Sequence, residues 1–172
     1  MAIKRSLPYW PYLAALLGLA ALAVILLLGG RARPASGAPV EVVNDRPLFA
    51  EHRIPEGANN RAAEGGQARV ELPVGFYDFG AVAANSVARR DFLVINRGSG
   101  PLVIQKAYTT CDCTTAEISA SVIPPGKASR VTVIFDAGFH PVAGQTVRRG
   151  VVLETNDPSR PEVEIWVQAR VR

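Results

Sequence analysis

The sequence has few of the residues on which enzyme active sites usually depend. It contains two histidines and two cysteines in 172 residues, and the cysteines lack the C-x-x-C spacing of dithiol oxidoreductases. A nucleophile elbow, a phosphate-binding Gly-rich loop and a paired acid/base signature are also missing. These absences predict a protein that is not an enzyme.

The sequence also lacks a local excess of one charge sign. The net charge is +4, and residues 69–172 hold twelve basic and ten acidic side chains with the signs interspersed. Nucleic-acid binding needs a clustered basic face, so we expect no nucleic-acid partner. The Arg89-Arg90 and Arg148-Arg149 pairs are interpreted as solvated charges at strand edges.

One long apolar run stands near the N-terminus. Ser6–Gly30 carries no charge, and Leu13–Leu28 within it is apolar almost throughout, with basic residues on both sides. This pattern predicts a single transmembrane anchor at residues 1–30, with the C-terminal domain outside the cytoplasm and the protein in the cell membrane. The alternative is a signal peptide cleaved near Ser36-Gly37-Ala38.

Residues 31–68 are rich in Pro, Gly, Ala and Asn and show no sustained periodicity. This composition predicts a flexible stem. Two short apolar pieces interrupt it, Val40–Val43 and Pro47–Ile54. They either contact the stem's own domain or dock on a partner.

Residues 69–172 lack a convincing helical period and consist of short β-branched runs separated by turn signals. Seven predicted strands, the first at Val70–Phe79 and the last at Glu162–Arg172, fit an all-β, immunoglobulin-like sandwich. Val163, Ile165 and Val167 alternate along the last strand and are expected to face the core.

An ordered set of short motifs runs through this domain: Asp78-Phe79-Gly80, Asn96 with Gly98, Pro101-Leu102, Cys111-x-Cys113-Thr114, Pro125-Gly126, Phe135-Asp136 and Thr155-Asn156-Asp157-Pro158. With these motifs, Gly75–Arg172 resembles a bacterial domain-of-unknown-function family with an immunoglobulin-like fold of the Hydin and major-sperm-protein type. The resemblance implies an exported or anchored module and no established activity.

Two of these motifs have local physical roles. Asp78 is expected to bond nearby backbone while Gly80 permits a positive φ. In the second motif, Asn156 and Asp157 satisfy backbone amides and Pro158 presets φ for a turn. All five residues are therefore interpreted as structural.

Cys111 and Cys113 would point the same way in an extended strand, with Cα atoms about 6.6–7 Å apart. A bridge between them requires the backbone to bend at Asp112. Three interpretations stay open: a local disulfide, a thiolate pair that holds Cu(I), and linkage to another chain. The carboxylate of Asp112 opposes a reactive thiolate.

His140 is a candidate third ligand. In an up-and-down count of strands, the loop that carries it lies at the same end of the domain as the cysteines. It would then complete a soft-metal site; otherwise it is an exposed loop histidine. The sequence predicts no cofactor; the one alternative is Cu(I), which requires both thiols to be free.

The sequence thus predicts a non-catalytic, membrane-anchored module that binds an extracytoplasmic or membrane protein. One alternative is a thiol-based copper or redox carrier that uses Cys111 and Cys113. Another is a structural component of the cell envelope.

Overall fold

The computed structural model describes residues 39–51 and 66–172. The predicted anchor at residues 1–30 and the cleavage site near residue 37 lie outside these ranges. Val40–Arg172 forms a compact unit, and its described residues are all-β. No helix in the described ranges is long and apolar enough to cross a membrane.

Within the described residues, ten strands form two five-stranded sheets that fit a β-sandwich. Sheet I has the order β1-β6-β8-β4-β2, and sheet II has the order β3-β10-β9-β5-β7, with β3 parallel to β10. The strands are β1 (Leu48–Ala50), β2 (Val70–Glu71), β3 (Phe76–Val82), β4 (Val87–Asn96), β5 (Leu102–Thr109), β6 (Thr114–Ile118), β7 (Val122–Ile123), β8 (Ala128–Asp136), β9 (Thr146–Thr155) and β10 (Glu162–Val171).

The core lies between the sheets and follows from alternation along the strands. In β10, Val163, Ile165 and Val167 are buried, as predicted, and the residues between them face outward. Val131 and Val133 of β8 close the core from sheet I. Burial of each such side chain contributes about 1.5–3 kcal/mol to folding.

The prediction of seven strands is wrong in number, because β1 and β7 are additional short strands and the first predicted strand forms two strands, β2 and β3. The first predicted strand, Val70–Phe79, is divided by Leu72–Gly75. Its first part, β2, pairs with β4 in sheet I, whereas β3 pairs with β10 in sheet II. Pro73 within this divider has no N–H for a ladder hydrogen bond, which favours a break there.

The β unit begins earlier than predicted, within the segment interpreted as a flexible stem. β1 pairs with β6, and Ala50 is fully buried. Upstream, the Val43 amide donates to Ala128 O at 2.7 Å, and Glu41 forms an ion pair with Lys127. Residues 40–51 therefore cover a sheet edge whose backbone groups would otherwise need water.

The Asp78-Phe79-Gly80 motif forms a bulge in β3. Asp78 Oδ1 accepts the Gly80 amide at 2.7 Å, and Gly80 has φ 68°. Asp78 Oδ2 accepts Gln168 Nε2 of β10 at 2.9 Å, where the β3–β10 register shifts. The positive φ explains the glycine, since other residues rarely adopt it.

The Asn156-Asp157-Pro158 turn lies between β9 and β10 and connects them to β5 and β2 by hydrogen bonds. Asn156 Oδ1 accepts the amide of Val103 in β5 at 2.8 Å. The buried Asp157 accepts the amide of Val70 in β2 at 2.8 Å and that of Ser159 at 2.8 Å. Pro158 is exposed within the turn.

Replacing Asp157 with Ala should lower the free energy of unfolding by about 1–3 kcal/mol, because the buried Val70 amide loses its acceptor. Ser159→Ala, at an exposed position of the same turn, is the matched control and should change stability by less than about 0.5 kcal/mol. Chemical denaturation of both variants measures the difference. Equal stabilities would contradict this role for Asp157.

Candidate functional site

The cysteines lie in a tight turn between β5 and β6. The amide of Thr114 donates to Cys111 O at 3.0 Å, which closes the turn around Asp112. This bend brings the Cys111 and Cys113 Cα atoms to 5.2 Å, within the usual range for a bridge, and the two form a disulfide. Of the three interpretations left open by the sequence, the structure contains the local disulfide.

The two sulfur-bearing residues differ in access to solvent. Cys113 is only 3% exposed and packs with Phe135, Ala137 and Val147. Cys111 is half-buried at the margin of the same cluster, and Asp112 between them is exposed. A reagent from solvent therefore reaches Cys111 more readily than Cys113.

Arg149 is a site residue that the sequence reasoning missed. Its Nε donates to Cys113 Sγ at 3.0 Å, and its Nη1 donates to Arg148 O at 2.9 Å. No ion pair involves Arg149 among the residues that the structure describes. Among the described residues, the guanidinium donates to one backbone oxygen and to one side-chain atom, the Sγ of Cys113 in the disulfide.

The position of Arg149 follows from the two-residue period of β9. It lies between the buried Val147 and Val151 and opposite the buried Val167 of β10, so its side chain is directed to the inner face. The interpretation of Arg148-Arg149 as solvated edge charges is wrong for Arg149, because β9 is an inner strand of sheet II and Arg149 is half-buried. The alternation that puts Arg149 on the same face as Val147 and Val151 can be read from the sequence.

Arg148 lies on the opposite face of β9 and is exposed. Its guanidinium carbon is 4.9 Å from the ring centroid of Trp166 and 5.4 Å from that of Phe76. These distances are within the range of cation–π contacts. The two neighbouring arginines therefore have separate surroundings.

The structure brings His140 to the cysteines. It lies in the loop between β8 and β9, is exposed, and has a ring nitrogen that lies with both sulfur atoms in a group spanning no more than 4.8 Å. Its ring meets that of Phe139 edge-on, with centroids 4.8 Å apart. After reduction, two thiolates and an imidazole would form a donor set that fits a soft ion such as Cu(I).

A concavity of about 250 Å³ adjoins the disulfide, and we call it the loop-end concavity. Val87 and Phe139, which are 53% and 52% exposed, lie on its border. The loop between β8 and β9, which carries Phe139, is positioned by two hydrogen bonds. The Asp136 amide donates to Cys113 O, and the Gly138 amide donates to Asp136 Oδ1. The lining residues are Val87, Arg89, Asp112, Cys113, Thr115, Ile134, Asp136 and Phe139.

A larger cavity of about 510 Å³ is lined by the Asp157 turn and residues 67–70. Several of its polar groups bond to one another: Gln67 O accepts the Ser99 amide, and both carboxylate oxygens of Asp157 accept amides. Arg69 and Arg160 also line this cavity.

Comparison with known proteins assigns the chain to a family. Residues 71–171 match the family described as Protein of unknown function (DUF1573). The chain belongs to the DUF1573 family. None of the curated proteins matches its sequence.

Solved structures resemble the DUF1573 chain in fold. A protein of unknown function from Porphyromonas gingivalis W83 is 24% identical, with a TM-score of 0.57 and coverage of 65% of this chain and 51% of that one. The chain thus spans about half the length of that relative. The ASH/PapD-like domain 7 of human CEP192 is 9% identical, with a TM-score of 0.46 and coverage of 66% and 92%. The predicted resemblance to a bacterial family of unknown function is confirmed, and the two all-β sheets agree with the predicted sandwich.

Reduction of the disulfide should leave the DUF1573 domain folded. The bridge joins residues only two apart, so it restricts the unfolded chain little. The resulting stabilisation of the folded state is about 1–2 kcal/mol. Thermal unfolding with and without reductant tests this, and Cys111→Ala/Cys113→Ala is the control, because its melting temperature should not respond to reductant. Loss of the cooperative transition in the reduced parent would contradict the prediction.

Proposed function

We propose that this DUF1573 protein is a membrane-anchored, extracytoplasmic module that binds another protein through the loop-end concavity and catalyses no reaction. The observation that carries the proposal is the exposure of Val87 and Phe139 beside the disulfide. Large apolar side chains that border a concavity are a common feature of protein-binding surfaces.

The sheet edges are poorer docking sites than the loop end. β1, β2 and β7 have only two or three residues each. The edge strand β3 is longer but contains the bulge at Gly80. Val87–Val94 of β4 also lies beyond its short pairing with β2, and this stretch carries the charged Arg89, Arg90 and Asp91. Short and bulged edges disfavour the addition of a partner strand.

The disulfide supports the extracytoplasmic location. Disulfides persist in oxidising compartments and are rare in the cytosol. The apolar run Leu13–Leu28 supports attachment to a membrane. A partner would then be an extracytoplasmic protein or a membrane protein.

The polar rim of the concavity indicates the chemistry of this partner. Arg89 borders it and pairs with Glu117 at 3.9 Å, an exposed pair that contributes little to stability. Asp112 and Asp136 supply negative charge nearby. A matching partner presents an apolar side chain at its centre and polar groups of both charge signs around it.

Phe139→Ser should reduce recovery of the partner by about tenfold or more, because the loss of an aromatic anchor at an interface costs about 2 kcal/mol or more. Chemical cross-linking of the full chain in its native membrane, followed by purification, measures the recovery. Phe76→Ser is the matched control, since Phe76 is 46% exposed but lies on sheet II.

Equal losses with Phe139→Ser and Phe76→Ser would contradict docking at the loop end. A chain that always purifies alone would contradict a binding role altogether. In that case a structural role in the cell envelope becomes the better interpretation, and deletion should change envelope mechanics without changing any chemistry.

A second candidate function is a thiol-based copper carrier. The observation that favours it is the placement of His140 beside both sulfur atoms. Two thiolates and one imidazole suit Cu(I), whose affinity for sulfur ligands is high. This function requires the reduced form of the site.

Anaerobic titration of the reduced chain with Cu(I) tests the copper function. Cys111→Ser/Cys113→Ser should abolish tight binding of Cu(I). His140→Ala should weaken binding by about tenfold or more, because losing even a residue that only hydrogen-bonds a metal ligand lowers metal affinity by this amount. Unchanged affinity in the double cysteine variant would remove copper as a ligand of this site.

A further inference from the structure

The contact between Arg149 and Cys113 is unusual for an oxidised pair. A guanidinium is always charged, whereas a disulfide sulfur is neutral and accepts hydrogen bonds weakly. Hydrogen bonds between ionised partners are about twice as strong as neutral ones. The 3.0 Å contact between Arg149 Nε and Cys113 Sγ therefore suits a state in which that sulfur is negatively charged.

We propose that the disulfide undergoes thiol–disulfide exchange in a fixed direction, with Cys111 as the sulfur attacked and Cys113 as the leaving group. An incoming thiolate forms a bond to Cys111 Sγ, and the Cys111–Cys113 bond breaks. Cys113 Sγ departs with the electron pair and its negative charge is held by Arg149. The product is a mixed disulfide on Cys111.

Access and charge both select this direction. Cys111 is half-buried, whereas Cys113 is 3% exposed. Cys111 Sγ accepts a neutral donor, the Cys113 amide, at 3.2 Å, while Cys113 Sγ accepts a charged one. Exchange is faster when the leaving sulfur is the better stabilised anion.

Asp112 opposes negative charge on either sulfur, but its effect is the weaker one. Its side chain is exposed, so water screens its interaction with the sulfur atoms. Arg149 reaches the less exposed sulfur directly and has no carboxylate partner among the described residues. A ring nitrogen of His140 lies within 4.8 Å of both sulfur atoms, whereas the guanidinium donates to Cys113 Sγ alone, so the guanidinium sets the direction of cleavage.

The natural co-reactant would be a dithiol of another exported protein. Its second thiolate attacks the mixed disulfide, Cys111 leaves as a thiolate, and the co-reactant becomes a disulfide. Two electrons pass to Cys111 and Cys113. The exchange is stoichiometric, and it stands independently of the docking proposal, since it needs neither Val87 nor Phe139.

The test uses the full chain purified in detergent and glutathione as the thiol probe. Acid quenching after short incubation, alkylation of free thiols and tandem mass spectrometry show which cysteine holds glutathione. We expect the adduct on Cys111 and a free thiol on Cys113. An adduct mainly on Cys113 would overturn the proposal.

Arg149→Gln should slow adduct formation by about tenfold or more and spread the adduct over both cysteines, because the leaving sulfur loses its charged donor. Arg148→Gln is the matched control, with the same change in net charge on the other face of β9, and should behave as the parent. Equal rates and equal adduct positions in the two variants would also overturn the proposal.

Arg149→Lys separates the charge from the packing of the arginine. It retains a cation near Cys113 and should keep the adduct on Cys111, with a rate between those of the parent and Arg149→Gln. Circular dichroism monitors folding of each variant. If Arg149→Gln does not fold, the lysine variant decides the question, since an adduct spread over both cysteines in that folded variant contradicts a role for the charge.

Discussion

The alternation of side chains along β9 is the constraint on which both the core and the candidate site depend. Val147 and Val151 face inward and are buried, and the same phase directs Arg149 to the inner face. A charge in this position requires a partner or access to water. At the end of the sandwich its Nε donates to Cys113 Sγ, so the strand that supplies core residues also places a guanidinium against the disulfide.

Antiparallel topology assembles the rest of the site. The β5–β6 turn carries the cysteines and the β8–β9 loop carries His140, and these connections meet at one end of the domain. The hydrogen bond from the Asp136 amide to Cys113 O joins the two segments directly. Chemistry-bearing residues almost thirty positions apart in sequence therefore become neighbours without any shared motif.

The opposite end of the domain and the sheet edges have a different character. Asp157 and Asn156 use their polar atoms to tie β2 and β5 to the β9–β10 turn. Residues 40–51 cover the edge of β6, and the bulge at Gly80 interrupts the exposed edge of β3. These features satisfy backbone groups and limit strand addition, which leaves the disulfide-bearing end as the distinctive surface.

The sequence by itself determined the β architecture, the family resemblance and the shared end of the cysteine and histidine loops, since strand period and turn residues are local properties. It left the state of the cysteines open, because a bridge depends on the bend at Asp112. It also hid the strand at Leu48–Ala50, whose short apolar segment pairs only with a distant edge. Tertiary structure alone decided that Arg149 meets Cys113, because that contact joins β9 to the turn between β5 and β6 and depends on how the two are packed at the end of the domain.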